Sequence, residues 1–200
     1  IFAFLAVEGY FHTRSFKRYA LRMLLFAVLS EVPFDLMYGG TVFYPVHQNV
    51  IWTLLLGLLG IRLMEPARAK GKRWLYILTC AAVVVLGFAL GTLGMVDYYG
   101  AGVLTVFAFY FFRERKWWCL LGQLAALYWL NVVVLGGQMY PVTLFGREIE
   151  LCEQGLALLA LVPIWLYRGR QGHHSKAFQY ACYAFYPAHM LVLALLTMIQ

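Results

Sequence analysis

Apolar residues in this chain gather into long runs separated by short charged stretches, and the runs repeat along its whole length. A helix needs about 17–25 mostly apolar residues to cross the roughly 30 Å hydrocarbon core of a bilayer. Seven runs approach or meet that length, near 19–38, 46–65, 74–96, 98–112, 117–136, 149–167 and 177–199, the fourth being short. The opening run, Ile1 to Phe11, is apolar apart from Glu8 and Gly9. As a helix it reaches only about 16 Å, so the expectation is a partial segment whose remainder lies upstream of Ile1. The pattern predicts an all-α fold, a polytopic membrane helix bundle of about eight segments with the first incomplete, forming a single integral-membrane domain over residues 1–200.

Composition sharpens this picture. Of the 200 residues 63% are hydrophobic and 12% charged, against roughly 25% charged in soluble domains. No Ser/Pro/Gly-rich linker interrupts the chain, which leaves no room for a separate soluble domain. The formal net charge of +7 would suit a nucleic-acid binder if the cations formed one patch. They form four clusters instead: Arg14, Lys17, Arg18 and Arg22; Arg62, Arg68, Lys70, Lys72 and Arg73; Arg113, Arg115 and Lys116; Arg168, Arg170 and Lys176. Of the 16 Lys and Arg only Arg147 lies elsewhere, and the clusters fall on alternate connections. The intervening connections carry Asp97, Glu148, Glu150 and Glu153. The positive-inside rule then predicts cytoplasmic clusters and an outside C-terminus. The expected partner is the lipid bilayer, not nucleic acid. Trp52, Trp74, Trp117 and Trp118 near span ends read as interfacial anchors. Cys80, Cys119, Cys152 and Cys182 stand singly, without the pairing or His spacing of a metal site or a disulfide framework.

An ionisable group near the bilayer centre costs at least about 2.5–3.5 kcal/mol, so each one inside a span needs a partner or a purpose. The second segment carries Arg22 near its inner end and Ser30, Glu31, Pro33 and Asp35 deeper. Glu31 and Asp35 are four apart and share a helical face. Pro33 lacks a backbone donor and frees the Leu29 carbonyl, opening a local kink for polar groups. Arg22 at its depth can also simply snorkel. The last segment carries Tyr183, Tyr186, Pro187 and His189. His189 lies thirteen residues past Lys176, and Glu31 thirteen past Arg18, so both sit roughly 20 Å from the cytoplasmic edge. If the helices adjoin, Glu31 would orient His189 as a general base. A histidine held by carbonyls or Tyr hydroxyls for packing is the alternative.

Three further groupings are polar. His12-Thr13-Arg14-Ser15 and Tyr19 surround the first cytoplasmic turn, where they could face a phosphate or thioester carbonyl; capping of the second helix by Ser15 is the alternative. His47, Gln48 and Asn49 stand at the outer mouth of the third span, placed to receive an acceptor molecule or to cap a helix. The pair His173-His174 reads as solvated loop. The pentapeptides FYPVH (Phe43 to His47) and FYPAH (Phe185 to His189) nearly match, but their flanks do not, so they give no internal repeat. No nucleotide-loop, zinc-protease or serine-hydrolase motif is present.

The run E-G-Y-F-H-T-R-S (Glu8 to Ser15), then Tyr19 and Arg22, then F-A-V-L-S-E-V-P-F-D-L (Phe26 to Leu36), resembles the TraX family of bacterial membrane proteins. The likeness continues through Asn49 to Gly57, Tyr99-Gly100, Leu159 to Ile164 and the FYPAH run, so it covers almost the whole chain in order. The S-E-V-P-F-D stretch is its most specific part. The family is similar to the larger group of integral-membrane acyltransferases, whose late Tyr-x-x-Tyr-x-x-His pattern Tyr183, Tyr186 and His189 resemble. The resemblance implies a protein of the bacterial inner membrane that binds acetyl-CoA from the cytoplasm, uses no metal, and transfers the acyl group as in pilin acetylation during conjugation. It also implies a helix upstream of Ile1 that bears the histidine most often assigned to the chemistry, commonly after an Asp.

The leading expectation is therefore acyl transfer from cytoplasmic acyl-CoA to an amine or hydroxyl of a protein or envelope glycan. Arg14 and Arg22, with Tyr19 and His12, would hold the cofactor, and Arg115 or Arg170 could join them at its phosphates. Ser30, Glu31, His189 and Tyr186 would carry the chemistry, Tyr186 offsetting the oxyanion. His47, Asn49 and Asp35 would meet the acceptor. Two alternatives compete: a proton-coupled transporter relaying through Glu31, Asp35 and His189, and a catalytically inactive membrane protein.

Overall fold

The computed structural model describes residues 1–144, 147–169 and 175–199. These residues form, in order, α1 (Phe2–His12), α2 (Phe16–Gly39), α3 (Val50–Ala69), α4 (Arg73–Leu93), α5 (Tyr99–Phe111), α6 (Trp117–Tyr128), β1 (Met139–Leu144), β2 (Arg147–Cys152), α7 (Leu161–Leu166) and α8 (Lys176–Ile199). A π-helical stretch, Trp129–Leu135, prolongs α6, and a 3-10 stretch, Gln154–Ala160, leads into α7. Arg170, His173 and His174 lie outside the described residues.

Four helical stretches among the described residues are long and apolar enough to cross a bilayer: Val50–Ala69, Arg73–Leu93, Trp117–Leu135 and Tyr180–Thr197. Large apolar side chains stand bare on their outer faces, such as Leu78, Val85 and Leu86 on α4 and Val192 and Leu195 on α8. In water such surfaces would seek cover; against lipid tails they need none. The chain is a membrane protein, and its fold is an all-α bundle with one small sheet. The helix α2 has 24 residues, about 36 Å of rise, and its polar residues are what lower its hydropathy.

One expected span is corrected. The run 149–167 is not a continuous helix, because its first part pairs with β1 in an antiparallel hairpin, Met139 opposite Cys152 and Val142 opposite Ile149. The alternation Arg147-Glu148-Ile149-Glu150-Leu151 has the period of two that suits a strand. Only Gln154–Leu166 remains as a short apolar helical stretch, too short at about 20 Å to cross alone.

The core lies where α3, α4 and α5 meet. Leu58, Ile61 and Met64 of α3 pack with Val103, Val106 and Phe107 of α5, all essentially sealed from solvent. Glycine makes this approach possible: a Cβ on Gly57 would lie 2.6 Å from the Val106 side chain, and one on Gly60 2.6 Å from the Phe107 ring. Small residues at close helix crossings are how membrane bundles gain dispersion contacts when no hydrophobic effect drives them together. Helix α2 lies outside this trio, packed along α8 and against α3.

The connections sort to two ends. At one end, Arg113 after α5 forms an ion pair with Glu8 of α1 (2.7 Å), Arg115 donates to the Tyr167 and Trp165 carbonyls at the end of α7, and the Tyr110 hydroxyl donates to Glu65 of α3. These contacts gather connections bearing basic clusters. At the other end, Gln48 before α3 bridges to Val96 after α4, and the Gln48 N–H donates to the Met95 carbonyl at 2.9 Å.

Substituting Gly57→Val is expected to overpack the α3–α5 crossing and cost about 1–3 kcal/mol, read as a lower melting temperature of the purified protein in detergent. An unchanged melting temperature would show that the crossing tolerates a wider spacing.

Candidate functional site

The polar residues of α2 face the start of α3. The helix α2 begins at Ser15, whose hydroxyl accepts from the Arg18 N–H (3.4 Å), runs through Pro33, and ends at Gly40 with φ of 66°, a left-handed stop that glycine adopts without strain. Asn49 caps α3 by accepting from the Ile51 N–H at 3.0 Å. Its amide nitrogen turns back to α2, donating to the Ala27 carbonyl at 2.8 Å and to Glu31 Oε2. One turn along α3, Trp52 Nε1 donates to the same Glu31 oxygen at 2.8 Å. A carboxylate inside the bundle is thus held by two neutral N–H donors from one neighbouring helix.

Three polar atoms in this region are buried without a hydrogen-bond partner among the described residues: Ser30 Oγ, Glu31 Oε1 and Asp35 Oδ1. The other Asp35 oxygen accepts from the Tyr44 N–H at 2.9 Å, which pins the loop leaving α2. Buried polar atoms left unpaired cost about 1–3 kcal/mol each, so each calls for a reason, such as a catalytic role or a bound water or ion.

Just beyond Asn49, the imidazole of His47 meets Asp97, Nε2 to Oδ1 at 3.4 Å. The rings of Tyr38 and Phe34 stack on it, with centroids at 4.7 and 5.7 Å, and Tyr99 stands edge-on at 5.9 Å. Asp97 sits in a tight turn in which Met95, Tyr98 and Tyr99 all have positive φ, 49°, 58° and 49°. Non-glycine residues in that region are strained by about 1–3 kcal/mol each. The Thr53 hydroxyl donates to the Asp97 carbonyl at 2.7 Å and helps hold the turn. Burial pushes the Asp97 carboxyl up, while the His47 imidazole and a backbone hydrogen bond at Tyr98 act against it.

A cavity of about 370 Å³ opens beside these groups between α1, α2, α3 and α8, within the about 300–1,000 Å³ typical of small-molecule sites. Tyr19 and Arg22 line it toward the basic end; Val50 and Tyr186 line it toward the polar cluster. The Val50 backbone amide faces the Tyr186 hydroxyl, and Glu31 and Asp97 both lie within electrostatic range of that hydroxyl. Tyr19 donates to the Ala6 carbonyl at 3.2 Å.

The residues singled out from sequence fall into several places. Tyr19, Arg22 and Tyr186 share this cavity. His12 lines a different one, of about 340 Å³, with Glu8, Arg113, Arg115 and Arg168, while Arg14 is exposed and lines neither. Arg115 already spends its guanidinium on the α7 carbonyls. Ser30, Glu31, Asp35, His47 and Asn49 gather where α2 meets the α3 start. His189 does not pair with Glu31: its Nδ1 bonds the Phe185 carbonyl one turn back at 2.9 Å, and its ring meets Tyr186 edge-on at 5.3 Å. The two near-identical pentapeptides adopt different structures, Phe43 to His47 as loop and Phe185 to His189 as helix.

Two site residues were not foreseen. Trp52, expected as an interfacial anchor, is also a donor to Glu31. Asp97 read only as a charge in an outer connection, and its pairing with His47 joins residues 50 apart in sequence, which no local spacing signals.

The family model described as TraX protein matches residues 1–197. The chain belongs to the TraX family. Among its curated relatives is "Probable fimbrial assembly protein FimC, serogroup H1" of Dichelobacter nodosus, 26% identical over 203 residues, which span 96% of this chain and 77% of the relative. No solved structure matches. Within this TraX chain, the matched region includes every residue of the cluster just described.

Replacing Asn49 with Ala removes a helix cap worth about 1 kcal/mol and leaves Glu31 short of a donor, a further loss of about 1–3 kcal/mol. The melting temperature should fall accordingly. Adding Glu31→Gln should cost less in that background than in the wild type, because the two residues share one contact. Strictly additive losses would mean that the contact carries no coupling energy.

Proposed function

We propose that this TraX protein transfers an acyl group from cytoplasmic acyl-CoA, with acetyl-CoA as donor, to a hydroxyl or amine that arrives from the opposite side of the membrane. The observation that carries this reading is the cavity that has Arg22 and Tyr19 near one end and Tyr186 and Val50 near the other. Along α2 its wall runs from Tyr19 to Phe26, about 10 Å of rise, with Glu31 five residues further on, a depth suited to a ligand with an anionic head and a long, weakly polar arm. A guanidinium at the mouth suits phosphate oxygens. The apolar wall between the ends suits the arm.

At the inner end the thioester carbonyl lies toward Tyr186, whose hydroxyl offsets the charge that develops on oxygen. His189, edge-on to that ring, fixes its orientation. Ser30 and Glu31 offer buried oxygens to the acceptor, and Asn49 and Trp52 hold Glu31 still. The acceptor's oxygen or nitrogen attacks the carbonyl carbon, the carbon–sulfur bond breaks, and the acceptor's proton passes to a base while the CoA thiolate takes one from solvent. His47 and Asp35 line the acceptor's approach.

Orientation follows from charge. The basic clusters face the cytoplasm, so that the His47 end and the C-terminus face outward across a bacterial inner membrane. The relative named for fimbrial assembly favours a pilus protein as acceptor over an envelope glycan.

With purified protein, Arg22→Ala is expected to weaken acetyl-CoA binding about tenfold or more, the loss of one charge-assisted hydrogen bond of about 1.5–3 kcal/mol. Tyr186→Phe should leave affinity in place and slow CoA release about 10²–10³-fold. Titration calorimetry and a thiol-release assay separate the two effects. Wild-type behaviour of both variants would remove the assignment.

A further inference from the structure

The His47–Asp97 contact has no part in holding the acyl donor, yet the fold invests in it heavily. The loop that carries His47 is fastened to the turn that carries Asp97 by the Gln48–Met95 hydrogen bond and by Thr53 on the Asp97 carbonyl. That turn holds three non-glycine residues at positive φ, strain that persists only where the surroundings impose it. His47 itself is clamped between α2 and α5 by Phe34, Tyr38 and Tyr99 and is 8% exposed. Its Nε2 faces the Asp97 carboxylate. The opposite nitrogen, Nδ1, has no hydrogen-bond partner among the described residues and is not one of the enclosed unpartnered atoms. The titratable groups that meet the ring are Asp97 on the turn, Tyr99 on α5 and Tyr38 on α2; behind them stand Tyr44 against Tyr38, Asp35 on the Tyr44 amide, and Tyr98 and Tyr186 in electrostatic range of Asp97.

We propose that His47, oriented by Asp97, is the general base that takes the acceptor's proton. This rests on the acyl-transfer reading and names the group that performs its proton step. A carboxylate that accepts from Nε2–H fixes the tautomer and leaves the Nδ1 lone pair free to accept. The ring stacks on Phe34, one turn past Glu31 on α2, and Asn49, two residues on from His47, donates to Glu31, which sets the base on the same side of α2 as the buried oxygens. The proton of an O–H or N–H moves to Nδ1 as its oxygen or nitrogen bonds the carbonyl carbon and the thiolate leaves. Asp97 stabilises the imidazolium, which returns its proton to the outer solvent. The 3.4 Å separation is of the kind that shortens when a ligand closes the site.

Nucleophile choice tests this on the full chain in detergent, with acetyl-CoA as donor and thiol release as readout. Hydroxylamine is uncharged and strongly nucleophilic at pH 7 and needs no base; water needs one. His47→Gln is expected to depress hydrolysis at least about 100-fold more than hydroxylaminolysis, Asp97→Asn should skew the ratio in the same direction, and added imidazole should restore hydrolysis to His47→Ala. Equal loss in both reactions, or hydrolysis by His47→Gln at the wild-type rate, overturns the assignment of the base while leaving acyl transfer standing. A wild-type protein that releases no CoA with either nucleophile overturns the acyl-transfer reading and this inference with it.

Discussion

A carboxylate inside a membrane helix is stable only where donors reach it, and for Glu31 both donors come from the first turn of α3. The contact does three things at once. The Asn49 side chain starts α3, ties α3 to the Ala27 carbonyl of α2, and meets Glu31. Because one amide serves cap, tether and partner, the position of α3 relative to α2 is fixed within hydrogen-bond tolerance, a tighter constraint than apolar packing provides. The cavity between α1, α2, α3 and α8 inherits its shape from that constraint, since Val50 and Ile51 of its wall follow directly on Asn49.

The rest of the bundle is arranged around this seam. The α3–α4–α5 trio supplies dispersion contacts through close glycine crossings, α2 leans on it through α3, and α8 packs along α2. The two ends divide the polar work. Arginines at the basic end are spent on Glu8 and on the carbonyls that finish α7, which closes the α5–α6 connection onto its neighbours. At the opposite end a strained turn carries Asp97 to His47, with stacked rings filling the space around the imidazole. Strain at one end and close packing in the middle divide the molecule into a core that provides stability and a rim whose unusual backbone is held by its neighbours.

Membership of the TraX family was visible in the E-G-Y-F-H-T-R-S and S-E-V-P-F-D runs, and the family match over residues 1–197 agrees. The helical runs were legible because lipid imposes one requirement on every spanning segment, length and apolarity together. Charge alternation was legible for the same reason. The hairpin escaped notice because Ile149 and Leu151 read equally well as the start of an apolar run and as one face of a strand. Trp52 escaped because a tryptophan near a span end has a common use at the interface, and only a neighbour's carboxylate gives it another.

What the sequence determined by itself was therefore local: which stretches are apolar and helical, the 149–167 run excepted, and that Glu31 and Asp35 share a face of one helix. Each of these follows from residue type and a fixed helical period. Partnership was decided only by tertiary structure. Glu31 faces Asn49 and Trp52 while His189 bonds its own helix, and His47 finds Asp97 across 50 residues. Depth along a helix can be counted from the sequence, but rotation about its axis and the identity of its neighbour are set by how all the helices pack together, and those angles decide which polar groups meet.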